Sequence, residues 1–97
     1  MRVISRKMIR LYWERRPEAE QELKAWFAEA MAATWRNPSE LKAKYGNASI
    51  LQNGRVVFNI CGNKQRLIVW IHYRFQIVYI RFIGTHQEYD KINAQEI

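Results

Sequence analysis

Apolar positions change their period once along the chain. In the first half they recur at helical spacing. Leu23, Trp26, Phe27, Ala30 and Met31 make one stripe, and Glu18, Glu20, Glu22, Lys24 and Glu29 fill the positions between. This predicts an amphipathic helix of about 18 residues between Pro17 and Pro38. Each proline sits where a helix can begin, since the first helical position needs no N–H. A shorter helix precedes this one, with Met8, Leu11 and Tyr12 on one face, and a third covers residues 39–45 and stops at Gly46. The second half is rich in strand formers. Asn53-Gly54 between two such runs is a strong hairpin signal and joins residues 49–52 to 55–60. Residues 61–64 form the next turn. Residues 66–73 and 76–83 then make a second antiparallel hairpin, broken at Arg74-Phe75 and ended by Gly84. Helices followed by an antiparallel sheet define an α+β fold, to which residues 2–4 can add a strand.

A chain of 97 residues, 48% hydrophobic and 26% charged, is one globular domain, residues 1–97, and not a disordered segment. Cys61 is alone, so no internal disulfide forms, and His72 and His86 belong to no Cys or His cluster of the kind that holds zinc. We expect no metal and no cofactor. The N-terminal residues lack the apolar core of a signal peptide, and no run of apolar residues is long enough for a membrane span. The expected location is the cytoplasm.

Charge sharpens the picture. The net value is +7, which favours a polyanionic partner. Acids and bases nearly balance before residue 41, but from Leu41 to Gln87 there is no Asp or Glu, while Lys42, Lys44, Arg55, Lys64, Arg66, Arg74 and Arg81 all fall there. A sheet with cations and no anions presents a positive field for which phosphate is the natural counter-charge. A merely solvated basic face is the alternative, although such faces ordinarily mix both signs. Phe58, Trp70, Tyr73, Phe75, Tyr79 and Phe82 lie among these cations. One or two can stack on bases, and the rest suit the core of a one-sided sheet.

The segments Val57-Phe-Asn-Ile-Cys-Gly-Asn-Lys-Gln-Arg-Leu-Ile68 and Val78-Tyr-Ile-Arg-Phe-Ile-Gly-Thr-His-Gln-Glu-Tyr-Asp-Lys-Ile92 resemble the HigB family of toxins, as does Asn37-Pro-Ser-Glu-Leu-Lys42. The one departure is Cys61, where the family pattern leads us to expect glycine. The resemblance implies a RelE-like fold, with N-terminal helices packed on a twisted antiparallel sheet. It implies metal-free cleavage of messenger RNA on the ribosome. It also implies a HigA-type antitoxin with a helix-turn-helix domain, so that DNA is met only through the antitoxin.

Metal-free RNA cleavage uses the 2′-hydroxyl as nucleophile. It needs a base for that proton, an acid for the leaving 5′-oxygen and cations for the growing charge. His86 is the best acid or base, since histidine changes charge near neutral pH and this one follows Gly84-Thr85 beyond the last strand. RelE-like toxins place a catalytic cation here, which the resemblance carries to His86. A surface histidine capping a turn is the alternative. Arg66 and Lys64 are assigned to the scissile phosphate, Arg66 with the stronger support from the family pattern. Arg81 can join them or only position RNA. Tyr89 can stack on a base or supply a hydroxyl. Asp90 can orient His86, act as base, or pair with an arginine to hold the terminus. Arg55, Arg74 and Lys91 are candidate RNA contacts, and Asn59 and Asn63 either contact RNA or fix their turn, the second being favoured. His72 alternates with core positions and is structural. Against this enzyme stand a non-catalytic RNA- or ribosome-binding module using the same basic sheet, and an interaction protein that docks an acidic partner.

Overall fold

A computed structural model describes residues 1–97. Its first strand, β1 (Arg2–Ile4), leads into α1 (Arg6–Arg15). A 3-10 turn at Pro17–Ala19 follows, then α2 (Glu20–Ala32) and α3 (Pro38–Lys44). Strands β2 (Ser49–Ile50), β3 (Arg55–Ile60), β4 (Gln65–His72) and β5 (Ile77–Thr85) form the second half, closed by the single-turn α4 (His86–Tyr89). The predicted α+β order is present. Pro38 does begin a helix, with Asn37 as its cap: the side chain accepts from the Glu40 N–H at 3.0 Å. Pro17 begins only the 3-10 turn, so the long helix is divided. Gly46 lies past α3 but outside the left-handed region, so it is not the expected C-terminal cap.

The sheet order is β1-β5-β4-β3-β2. Strands β2 to β5 pair antiparallel, as expected, whereas β1 joins β5 in parallel. The sheet is therefore mixed at one edge. The Asn53-Gly54 turn is as read: both residues have positive φ (59° and 75°), and the Arg55 N–H closes it onto the Gln52 carbonyl at 3.3 Å. A Cβ on Gly54 would lie 2.8 Å from the Ile71 carbonyl, so this site needs glycine for space as well as for φ. In β5, Arg81 is the extra residue of a bulge: Ile68 pairs with Phe82 but Val69 with Ile80.

The main core lies between the helices and one sheet face. Leu23, Trp26 and Ala30 of α2 meet Val56, Phe58 and Ile60 of β3, Leu67, Val69 and Ile71 of β4, and Val78 and Ile80 of β5. Met31, expected in the stripe, is 54% exposed. The face of α1 is turned by one residue from the expected one. Ile9, Tyr12 and Trp13 are buried, and Met8 and Leu11 are exposed. Nor is the sheet one-sided. Val57 and Ile68 are buried on its other face, under Tyr89, Ile92, Ala94 and Ile97 of the C-terminal segment. No helix is long and apolar enough to cross a membrane.

Candidate active site at the β3–β4 turn and α4

The residues expected to do chemistry converge at one end of the sheet. The β3–β4 turn places Lys64 immediately before β4, and the His86 N–H donates to the Lys64 carbonyl at 2.9 Å. That bond fixes α4 against the turn. Arg66 stands on β4 opposite Asn59 of β3 on one side and Gly84 of β5 on the other. Its guanidinium donates to the Asn63 carbonyl at 3.1 Å and lies 5.6 Å from the centre of the Tyr89 ring. Arg66 makes no ion pair within the chain. Its position is therefore set by a neutral carbonyl and an aromatic ring, which leave the charge available to a phosphate.

His86 is the first residue of α4, and Asp90 follows one turn later. The His86 Nδ1 and Asp90 Oδ2 are 3.0 Å apart, and both side chains are about half exposed (47% and 59%). Donation from Nδ1 to the carboxylate leaves Nε2 as the free ring nitrogen. Asp90 thus orients His86, one of the roles open to it in the sequence, and it pairs with no arginine. α4 is short, but it is well capped. The Thr85 Oγ1 accepts from the Glu88 N–H at 3.2 Å, and the Glu88 carboxylate accepts from the Thr85 N–H at 2.8 Å. The Thr85 backbone bond, with Arg15 and Arg16 nearby, holds the Glu88 carboxyl below the usual carboxylate range.

The remaining candidates are scattered. Asn63 serves the turn, through its carbonyl. The Asn59 amide reaches toward the Asn47 carbonyl at 3.5 Å. Lys91 follows α4 and is exposed. Arg81 projects from the bulge, exposed, midway along β5. Arg55 is at the far end of β3, where its guanidinium donates to the Ile97 carbonyl at 3.0 and 3.2 Å and covers Trp70. Arg74 is in the β4–β5 turn, also remote from His86. His72 packs against Phe75 in that same region.

Four contributing residues carry no signal in the sequence. Glu22 of α2 accepts from the Cys61 N–H at 2.6 Å and so pins the turn that carries Lys64. Gln65, the one fully buried polar residue (3% exposed), sits between Lys64 and Arg66. Arg15 and Arg16 bring the charged end of α1 toward α4. They fall in the charge-balanced half of the chain, where no local signal marks them. Cys61 itself has φ 53°, in the left-handed region where glycine is favoured, and Gly62 follows at 67°. Burial, together with Glu22 and Glu18, raises the Cys61 thiol pKa, which does not favour a thiolate nucleophile.

No cleft is lined by Lys64, Arg66 or His86. A half-open cleft of about 420 Å³ lies elsewhere, between α2 and β3; Glu22 and Glu29 line it with a single cation, Lys44, so its balance does not favour a polyanion. No three His, Cys, Asp or Glu side chains gather within reach of a common metal.

Comparison with known proteins matches residues 19–92 to the HigB toxin family, the RelE-like toxic component of a toxin–antitoxin system. The chain belongs to the HigB toxin family. It is 29% identical over 96 residues to the mRNA interferase toxin HigB of Escherichia coli strain K12, covering 97% of this chain and 92% of that protein. The mRNA interferases HigB of Escherichia coli O157:H7 and Shigella flexneri match over the same extent at 29% identity. Membership in the HigB family implies an antitoxin partner.

Proposed function

We propose that this toxin is an endoribonuclease that cuts messenger RNA on the translating ribosome, with the β3–β4 turn and α4 as its active site. The observation that carries this is the pairing of two units side by side: Asp90-oriented His86, and Arg66 held by Asn63 and Tyr89. Arg66 and Lys64 bind the scissile phosphate and stabilise the charge that grows on it. The 2′-oxygen attacks phosphorus and loses its proton, while the 5′-oxygen leaves and gains one. His86 Nε2 exchanges one of these protons, with Asp90 stabilising the imidazolium. The products are a 2′,3′-cyclic phosphate and a 5′-hydroxyl. The other proton exchanges with water, so the proposed route uses no metal or cofactor.

No cleft encloses Lys64, Arg66 and His86, which favours a substrate presented by the ribosome. This puts the toxin at work in the cytoplasm. The partner is a HigA-type helix-turn-helix antitoxin, and it silences the toxin by adding bulk that bars the ribosome rather than by covering His86. The test is single-turnover cleavage at saturating ribosomes. Arg66→Ala slows the reaction far more than removal of the exposed α1 cation Lys7→Ala. Equal losses would move the reacting phosphate elsewhere.

A further inference from the structure

The far end of the outer sheet face has chemistry the active site does not use. In β4, Arg66, Trp70 and His72 share that face, since side chains alternate along a strand. Beyond His72 the β4–β5 turn projects Phe75, which is 63% exposed, more than any other large apolar side chain. Its ring stacks on His72, with centroids 4.6 Å apart and planes 29° from parallel. The Phe75 N–H points at His72 Nδ1 at 3.4 Å, and the Arg74 guanidinium is 5.7 Å from the Phe75 ring centre. Arg74 makes no ion pair. The nearby carboxylate, Glu40, is engaged by Arg36 at 3.1 Å.

An exposed ring already held flat by a second ring, with an unpaired guanidinium beside it, is the arrangement that receives a nucleobase and its phosphate. The C-terminal segment covers Ile68 and Val57 in the middle of this face, but the surface next to the tip is of the same kind. Trp70 and Tyr79 stack at 5.0 Å, Arg55 covers Trp70, and Arg81 projects from the bulge. No carboxylate occurs on these strands. Six strand positions separate Arg66 from His72, a span of roughly 20 Å at the usual rise.

We infer that Phe75, stacked on His72 and flanked by Arg74, is a second RNA contact that stacks an unpaired base of the substrate strand at a distance from the cleaved bond. Taking RNA as the ligand rests on the function proposed above. The occupant is the substrate strand because Arg74 has no acidic partner, β3, β4 and β5 carry no carboxylate, and Tyr79 and the exposed Arg81 lead along β5 from the tip toward Gly84, past the C-terminal segment that covers Ile68.

The test is equilibrium binding of the full chain to 2′-O-methylated single-stranded RNA, which cannot be cleaved. A long oligonucleotide spans the sheet, and a short one reaches only the Arg66 end. Phe75→Ala weakens the long oligonucleotide by about tenfold or more, the usual worth of one stacked base, and leaves the short one unchanged. Phe75→Trp restores the long one. Equal affinities of Phe75→Ala and parent for the long oligonucleotide overturn the contact, as does an equal loss on both. So does a loss confined to empty ribosomes or to the antitoxin, which would make the tip a ribosomal or protein contact. Because cleavage is blocked, a parent chain that binds the long oligonucleotide but cuts no messenger RNA on translating ribosomes sinks the nuclease and not this contact. A parent chain that binds neither oligonucleotide at low salt sinks this contact.

Discussion

At the residue scale, His86 and Asp90 divide one task. In the proposed mechanism the imidazole exchanges the proton and the carboxylate sets which nitrogen is free. His86→Ala should lower the cleavage rate by about 10²–10⁴ with the fold intact. Asp90→Asn should lower it less, because the ring remains but loses its orienting charge. A folded His86→Ala protein that cleaves at the parent rate would remove histidine from the mechanism. Cys61 makes a separate prediction. A residue with a Cβ at φ 53° is strained, and glycine is not. Cys61→Gly should stabilise the chain by about 1 kcal/mol, read as a rise in Tm of about 4–8 °C. A fall would mean that the thiol's contact with the Glu18 carbonyl outweighs the strain. The family resemblance made Cys61 legible as a departure, but its consequence is visible only from the backbone angle.

At the element scale, α4 survives as a single turn because of its cap. Gly84 leaves room for it. A Cβ there would lie 2.6 Å from Phe82 Cζ and 3.0 Å from Glu88 Oε1. Gly84→Ala should therefore displace the Phe82 ring and the Glu88 carboxylate that caps α4, at a cost of about 1 kcal/mol, and lower the cleavage rate. The cap also sets a pH dependence. Glu88 has its folded pKa depressed, chiefly by the Thr85 N–H, so its contribution is present above the unfolded carboxylate value. It is lost as pH falls through the folded value. Urea midpoints of parent and Glu88→Gln should differ most near neutrality and converge in acid; a constant gap would assign the loss to something other than ionisation. Elements were legible where one signal dominated, as at Asn53-Gly54 or in β3. The phase of α1 was not. Apolar residues occur on both its sides, and Arg6 and Lys24 cover the Trp13 ring with their charges, so the buried face depends on the packed partner. The parallel pairing of β1 is likewise invisible locally, because its partner β5 lies at the other end of the sequence.

At the scale of the whole molecule, the fold gathers Lys64, Arg66 and His86 and disperses Arg55 and Arg74. The anion-free stretch showed that the sheet is basic without showing which cations share an end. The β3–β4 turn and the end of β5 decide that. Silencing also belongs at this scale. The antitoxin complex should still bind a small phosphate analogue beside His86 while failing to bind ribosomes, and exclusion of both would mean that the antitoxin covers the site. The central claim is metal-free attack by the 2′-hydroxyl with His86 in proton transfer. Its most direct test is primer extension with end-group analysis of messenger RNA from ribosomes treated with parent or His86→Ala protein. The account predicts cuts bearing a 2′,3′-cyclic phosphate upstream and a 5′-hydroxyl downstream with the parent, and nearly none with the folded variant. A 5′-phosphate on the downstream fragment, or undiminished cutting by His86→Ala, would contradict it.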